Sequence, residues 1–308
     1  MEYKVIEGGG ITSPKGFTAG AVYVGVKSRK SQKPDVAVLY SETEASCAAV
    51  FTTNKFCAAP VILDREILKN GKARAIVINS GNANAATGKQ GIEDARTVER
   101  EAEKLLGVGE NEVFVCSTGV IGQKLPVEKV LEGVRQIIPA KLDKANGSDA
   151  AYAIMTTDTV RKESAYELEL SSGTIRIGAM AKGSGMIHPN MATMLVFLTT
   201  DAAISPAMLQ KALSGDIANT FNMLSIDGDT STNDMVTILA NGLAGNPEVT
   251  GEGEDFTAFM QALNSVTIAL CRKIAGDGEG ATKLLECKVT GAADLATAKT
   301  VAKSVICS

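Results

Sequence analysis

The sequence predicts an α/β protein whose elements stack in layers. Two observations carry this. Short runs of apolar and β-branched residues alternate with helices that have one apolar face. That alternation continues along the chain with no internal repeat, low-complexity tract or obvious linker. Bulk composition agrees: 308 residues, 45% hydrophobic and 21% charged, suffice for one large or two ordinary domains around a sizeable core.

In chain order, "AVYVGVK" (Ala21 to Lys27), "DVAVLYS" (Asp35 to Ser41), "RAIVIN" (Arg74 to Asn79) and "EVFVCS" (Glu112 to Ser117) read as strands. Between the last two, "GIEDARTVEREAEKLLG" is a charged helix whose apolar face is Ala95, Val98, Ala102 and Leu105. "LPVEKVLEGVRQII" is a second helix, with Pro126 at its first position. "YELEL" and "TIRIGAM" form a hairpin around Ser171-Ser172-Gly173. "MLVFLTTD" is a strand, followed by a helix that Ser205 caps and Pro206 opens. The longest helix starts near Asp255 and repeats Phe256, Phe259, Leu263, Val266, Leu270 and Ile274 on one side, stopping at Gly276 and Gly278. "TKLLECKVTG" is expected as a strand. "ADLATAKTVAKSVICS" has helical spacing (Leu295, Ala298, Ala302, Val305) up to Ser308 with no stop signal, which reads as a chain cut short.

Several function classes drop out. A net charge of −4 without a Lys/Arg patch disfavours nucleic acid. The apolar stretches fall short of the ~20 residues of a membrane helix, so no membrane partner is expected. "MEYKVIEGGG" lacks the features of a secretory signal, and the expectation is a cytoplasmic protein. Six cysteines (Cys47, Cys57, Cys116, Cys271, Cys287, Cys307) without a C-x-x-C pair read as reduced thiols, mostly small core residues. With His188 the lone histidine, no metal site is expected.

Four polar stretches look functional and each has a plainer reading. "GDGEGATK" (Gly276 to Lys283) has glycines and a lysine, but a helix precedes it and a strand is expected after it, the reverse of a phosphate loop; Glu279 is either solvated or drawn into a site. "IDGDTSTND" resembles a calcium loop at Asp227 and Asp229, yet Thr232 and Ile238 stand where the loop needs Gly and Glu. A buried turn that satisfies its own backbone is the better account. "NSGNANAATG" (Asn79 to Gly88) is an irregular loop held by its Asn side chains. "STGVIG" (Ser117 to Gly122) offers the small residues of an oxyanion hole, or simply a glycine turn.

The remaining stretch is "AKGSGMIHPNMATMLVFLTTD" (Ala181 to Asp201). Pro189 restrains His188, and a lone histidine is commonly structural. Thr193 is the alternative nucleophile, but a hydroxyl is weak without a base. Its own α-amine, with a free pKa of ~7.7–8.0, serves if the Ala192–Thr193 bond is cut. Thr193 Oγ attacks the Ala192 carbonyl, the acyl group shifts from nitrogen to oxygen, and hydrolysis frees a new N-terminus. Residue chemistry leaves a second reading open, since threonine ahead of a strand is also an ordinary β-former.

Together, "AKGSGMIHPNMATMLVFLTTDA", "NSGNANAATG", "STGVIG", "AIMTTDT", "DGDTSTNDM" and "DGEGATK" closely resemble the ornithine acetyltransferase (glutamate N-acetyltransferase) family of arginine biosynthesis, in order and over nearly the whole chain. The resemblance implies a self-processing, N-terminal-nucleophile-like acyltransferase with αββα layering. It implies an α chain of residues 1–192 and a β chain of 193–308, assembled as two α and two β chains. Thr193 would be the nucleophile that carries acetyl from N-acetylornithine to glutamate. Thr118 and Gly119 would form the oxyanion hole, and Thr156, Lys182, Thr193 and Glu279 would bind substrate, Lys182 matching a carboxylate and Glu279 an ammonium. No cofactor is implied, and acetyl-CoA as a second acetyl donor stays open.

The family continues beyond "VAKSVICS" with further substrate-binding residues; if the 308 residues are the complete product, impaired or absent transfer is expected, with self-cleavage able to survive. Two rivals stand beside the acetyltransferase: a self-processing amidohydrolase or aminopeptidase, in which water resolves the acyl-enzyme, and an inactive, truncated assembly protein.

Overall fold

A computed structural model describes residues 3–27, 32–187 and 194–308. His188, Ala192 and Thr193 lie outside the described residues. The chain enters through β1 (Tyr3–Val5), β2 (Phe17–Val22) and β3 (Val36–Phe51), then α1 (Ala59–Ile67) and β4 (Lys72–Asn82). Next come α2 (Gly88–Leu106), β5 (Val113–Val120), α3 (Val127–Ile137) and the short α4 (Gly147–Ala153). The hairpin β6 (Lys162–Leu170) and β7 (Gly173–Lys182) precedes β8 (Leu195–Thr200) and α5 (Pro206–Ile217). The chain then runs through β9 (Met235–Ala240), α6 (Glu254–Gly276) and α7 (Leu295–Ile306).

Among the described residues the strands join in the order β1-β6-β7-β8-β9-β3-β4-β5, with β2 also paired to β3. β4–β5 and β8–β9 are parallel and the other pairs antiparallel. β3 is the hinge between two leaves. Its first half pairs with β2 and β4, its register breaks between Tyr40 and Ala45, and its second half pairs with β9. Such a break bends a strand and re-aims its side chains.

Alternation then sorts the side chains into two cores. Leu195 and Phe197 of β8, with Met235 and Leu239 of β9, pack among residues of β2–β5 and α1–α4. Their neighbours Val196, Leu198, Val236 and Ile238 pack on the other face with α5 and α6. A period of two that is apolar on both faces marks a doubly covered sheet. Helices therefore back both leaves, and the αββα layering follows.

Local signals set several elements as expected. Ser205 accepts from the Met208 N–H at 3.4 Å with Pro206 behind it, starting α5. Leu170 faces Gly173 across the Ser171-Ser172 turn. All six α6 residues of the expected stripe are buried. Pro126 stands one position outside α3, as its N-cap rather than its first residue.

Other expectations need correction. The strand expected over Ala21 to Lys27 is instead Phe17–Val22. Buried Asp35 takes the Val24 and Lys27 N–H groups at 2.8 and 2.9 Å, pulling that segment out of the ladder. Leu105 is 38% exposed, while Asp94, Glu99 and Glu103 lie buried on the inner side of α2. "TKLLECKVTG" forms no strand and lies largely exposed, having no ladder partner among the described residues; β-propensity needs a neighbour to express itself. α7 forms, capped by Asp294 accepting from Thr297 N–H at 2.7 Å, yet buries none of its residues. No disulfide forms among the described residues, but only Cys47, Cys116 and Cys271 are buried, so the small-core reading holds for three.

Candidate active site

The parallel pair β4–β5 brings Gly81 beside Gly119, and the ends of β7 and β8 bring Lys182 beside Leu195. Above these strand ends opens a cleft of about 720 Å³. Thr118, Gly119, Thr156, Lys182 and Glu279, five residues singled out from sequence, all line it. So does Met194, the chain neighbour of Thr193. The segment 188–193 itself lies outside the described residues.

Gly119 has φ +133°, and a Cβ there would fall on the Gly81 carbonyl carbon and 2.7 Å from Asn82 N. Only glycine fits both demands. On the far side the Glu279 carboxylate lies over Gly185, where a Cβ would meet Oε1 at 2.5 Å.

The "NSGNANAATG" loop is held as expected. Asn79 Nδ2 donates to the Asn82 carbonyl at 2.8 Å, Asn82 Nδ2 to the carbonyls of Gln123 and Lys124, and Asn84 Nδ2 to Gly91 at 2.8 Å. Ser117 Oγ donates to Asn79 Oδ1 at 2.7 Å, fastening β5 to the loop.

Charge in the cleft is mixed. Lys182 is 9% exposed; burial pulls its ammonium below the usual lysine range, nearby Lys162 adds to this, and Asp158 opposes it. Burial pushes the Asp158 carboxyl up, but Lys182, Lys162 and the Gly183 N–H outweigh it and hold the group below the ordinary carboxylate range. Asp158 Oδ2 accepts from Thr156 N–H at 3.0 Å and Oδ1 from Gly183 N–H at 2.7 Å. One buried carboxylate thus fixes the backbone of two lining segments.

The cleft also holds residues that sequence reasoning did not assign to it. Lys27 lines it, its Nζ donating to the Pro34 and Ala153 carbonyls at 2.9 and 3.0 Å. Burial lowers this group to about 8, against the pull of Asp35. Asp227 accepts from the backbone N–H groups of Met186, Ile187 and Asp229, so its loop does satisfy local backbone. That loop is exposed at 227–229, however, rather than a buried turn, and it forms one wall of the cleft. Asp234 is 1% exposed. Burial pushes its carboxyl well above the ordinary range, although Ser231, the Met194 backbone and Thr52 hydrogen-bond to it. Its Oδ2 has no partner among the described residues. The available signal was an aspartate placed between a polar run and the apolar strand "MVTILA". No three His, Cys, Asp or Glu side chains converge as a metal site among the described residues.

Fold and cleft together define a layered α/β protein with a cleft of mixed charge, of a volume suited to a small-molecule ligand. The ArgJ family profile matches residues 18–308. A relative from Symbiobacterium thermophilum, the arginine biosynthesis bifunctional protein ArgJ, is 51% identical over 297 residues, covering 96% of this chain and 74% of its own. Two solved structures are similar. The ArgJ protein of Bacillus halodurans is 40% identical with a TM-score of 0.58, over 63% of this chain and 98% of that one. The ornithine acetyltransferase of Mycobacterium tuberculosis complexed with ornithine is 36% identical with a TM-score of 0.56, over 63% of this chain and 100% of that one. The chain belongs to the ArgJ family.

Proposed function

We propose that this chain cuts itself between Ala192 and Thr193 and then moves an acetyl group from N-acetylornithine to glutamate through Thr193. The observation that carries the proposal is the convergence of Thr118, Gly119, Thr156, Lys182 and Glu279 on one cleft that also contains Met194.

After the cut, the Thr193 amine takes the proton of its own hydroxyl as Oγ attacks the acetyl carbonyl. Negative charge develops on the carbonyl oxygen and is met by donors at Thr118 and Gly119, a contribution of ~2.7–4 kcal/mol for one such donor. The C–N bond breaks, the amine returns the proton to the departing nitrogen, and ornithine leaves. The glutamate amine then attacks the acetyl ester and Oγ recovers a proton as N-acetylglutamate forms. Lys182 pairs with the substrate carboxylate, and Glu279 with the ammonium of ornithine. The buried flank of Lys182 strengthens that pairing by excluding water.

Supporting the cut, both solved relatives are matched over essentially their full chains by 63% of this one. Residues 1–192 are 192 of 308 residues, or 62%. Division into chains 1–192 and 193–308, and their assembly as two of each, are parts of the same proposal.

Intact mass is expected to show two fragments in place of one 32.0 kDa species, with N-terminal sequencing reading "TMLVFLTTD". Thr193→Ala is expected to stay whole and to transfer no acetyl. A Thr193→Ala protein that still yields two fragments and transfers acetyl would overturn the proposal.

A further inference from the structure

Lys162, the first residue of β6, has a fully buried side chain and does not line the cleft. Its ammonium has three donors and three acceptors: Asp158 Oδ1 at 2.7 Å, Asp277 Oδ2 at 2.6 Å and the Val160 carbonyl at 3.4 Å. Asp158 reaches onward to the cleft, and Asp277 to the segment that continues from its lining residues Thr156 and Thr157. Asp158 accepts from the backbone of Thr156 and of Gly183, the residue after Lys182. Asp277 accepts from the Thr159 backbone at 3.0 Å and from the Thr159 hydroxyl. Ser184 completes the tie: its Oγ donates to the Asp277 carbonyl at 2.6 Å, and its own carbonyl accepts from Glu279 N–H at 2.8 Å.

We propose that Lys162 is a positioning residue, whose clasp of Asp158 and Asp277 sets Thr156, Lys182 and Glu279 at the separation that an amino-acid substrate needs. The proposal rests on the functional reading above and names what holds that site together. Thr156, Lys182 and Ser184 lie before the proposed cut, and Asp277 and Glu279 after it. The Lys162–Asp277 pair is thus a tie between the two products of cleavage, 115 residues apart in sequence. The side chains of Lys162 and Asp158 are fully buried, so loss of the ammonium leaves Asp158 no water to turn to, while Asp277, nearer the surface, loses the partner that orders it. A misplacement of ~1 Å in a group that positions substrate can cost on the order of 100-fold in rate.

The test uses the purified 308-residue protein and two variants, Lys162→Met and Asp277→Asn. Asp277→Asn keeps the side-chain shape and removes one arm of the clasp, so it decides the matter if Lys162→Met does not fold. Ornithine binding is measured by calorimetry well below the melting temperature of each protein, with intact mass reporting the cut. The expected result is a folded Asp277→Asn protein whose Kd for ornithine rises at least 10-fold, and whose KM for N-acetylornithine rises more than its kcat falls. A purely structural role would lower the melting temperature and leave Kd unchanged. Binding within twofold of the parent in a folded variant overturns this proposal alone. A parent protein that binds no ornithine overturns both this proposal and the functional reading beneath it.

Discussion

Two clusters of acidic side chains, one beside the cleft and one in the seam between α1, α2 and β5, are handled in opposite ways. Beside the cleft, burial pushes Asp158 and Asp277 up, but Lys182 and Lys162 overcome it at Asp158, and Lys162 and Thr159 at Asp277, and both are held below the ordinary range. Between α1, α2 and β5, Asp64, Glu99 and Glu103 are also buried, but among the described residues no lysine figures among the groups acting on Asp64 or Glu99. Burial drives Asp64 well above the ordinary range and Glu99 up to about 7, with Glu103 adding to the latter and Arg96 only partly opposing. Glu99 Oε1 has no hydrogen-bond partner among the described residues. Where Asp158 and Asp277 hold backbone beside the cleft, a buried cation keeps them charged. Where a carboxyl only fills a helix–sheet seam, a proton neutralises it instead.

Breaking the first cluster should have the largest effect. Lys162→Met strands two carboxylates and is expected to cost ~3–5 kcal/mol at pH 7, read by denaturant unfolding. Because the folded-state values of Asp158 and Asp277 lie below the reference 3.8, their stabilisation is present above that pH and lost as acid takes them through their folded values. The deficit of the variant should shrink there too. An equal deficit at pH 3 and pH 7 would contradict the charge-based account.

The second cluster has the opposite sign. Glu99 ionises near 4.5 when unfolded and near 7 when folded, so its burial costs nothing below the first value and its full penalty above the second. Glu99→Gln should therefore stabilise by about 1–3 kcal/mol at pH 8 and have no effect at pH 4. Paired thermal melts at the two pH values check this, and a flat difference would refute it. The smallest effect belongs to Asp64→Asn. Asp64 Oδ1 accepts from Val115 N–H at 2.9 Å, and the amide can keep that bond while imitating a protonated acid. A change within about 1 kcal/mol at pH 7 is expected. A larger loss would mean that Asp64 works as a charge after all.

The same contrast marks what could be read from sequence. Signals confined to a few residues survived folding: the Ser205–Pro206 helix start, the Ser171-Ser172-Gly173 turn and the α6 stripe each encode their own geometry. Ties between distant residues did not. Nothing near Val24 announces that Asp35 will take its N–H, and nothing near Lys162 announces Asp277. β9 and α1 carry weak local signals, because "MVTILA" follows a polar run without a break and "APVILDREI" is short, with proline in its first turn. "TKLLECKVTG" is the opposite case, a β-forming composition with no strand beside it among the described residues. The cleft draws on segments scattered from residue 27 to residue 279. Its residues taken singly read as turns, and only the family resemblance grouped them beforehand.

β8 has a consequence for what happens if the protein is taken apart. It lies between β7 and β9, with six residue pairs to each neighbour, from Ile177–Thr200 to Lys182–Leu195 on one side and from Leu195–Met235 to Thr200–Ala240 on the other. Severing the link before it would leave every one of these rungs in place, so the folded protein would hardly register the cut. Reassembly would. Once denaturant separated the pieces, regaining the central strand would be a two-body encounter, slowing on dilution and bringing a memory of concentration that an unbroken chain lacks.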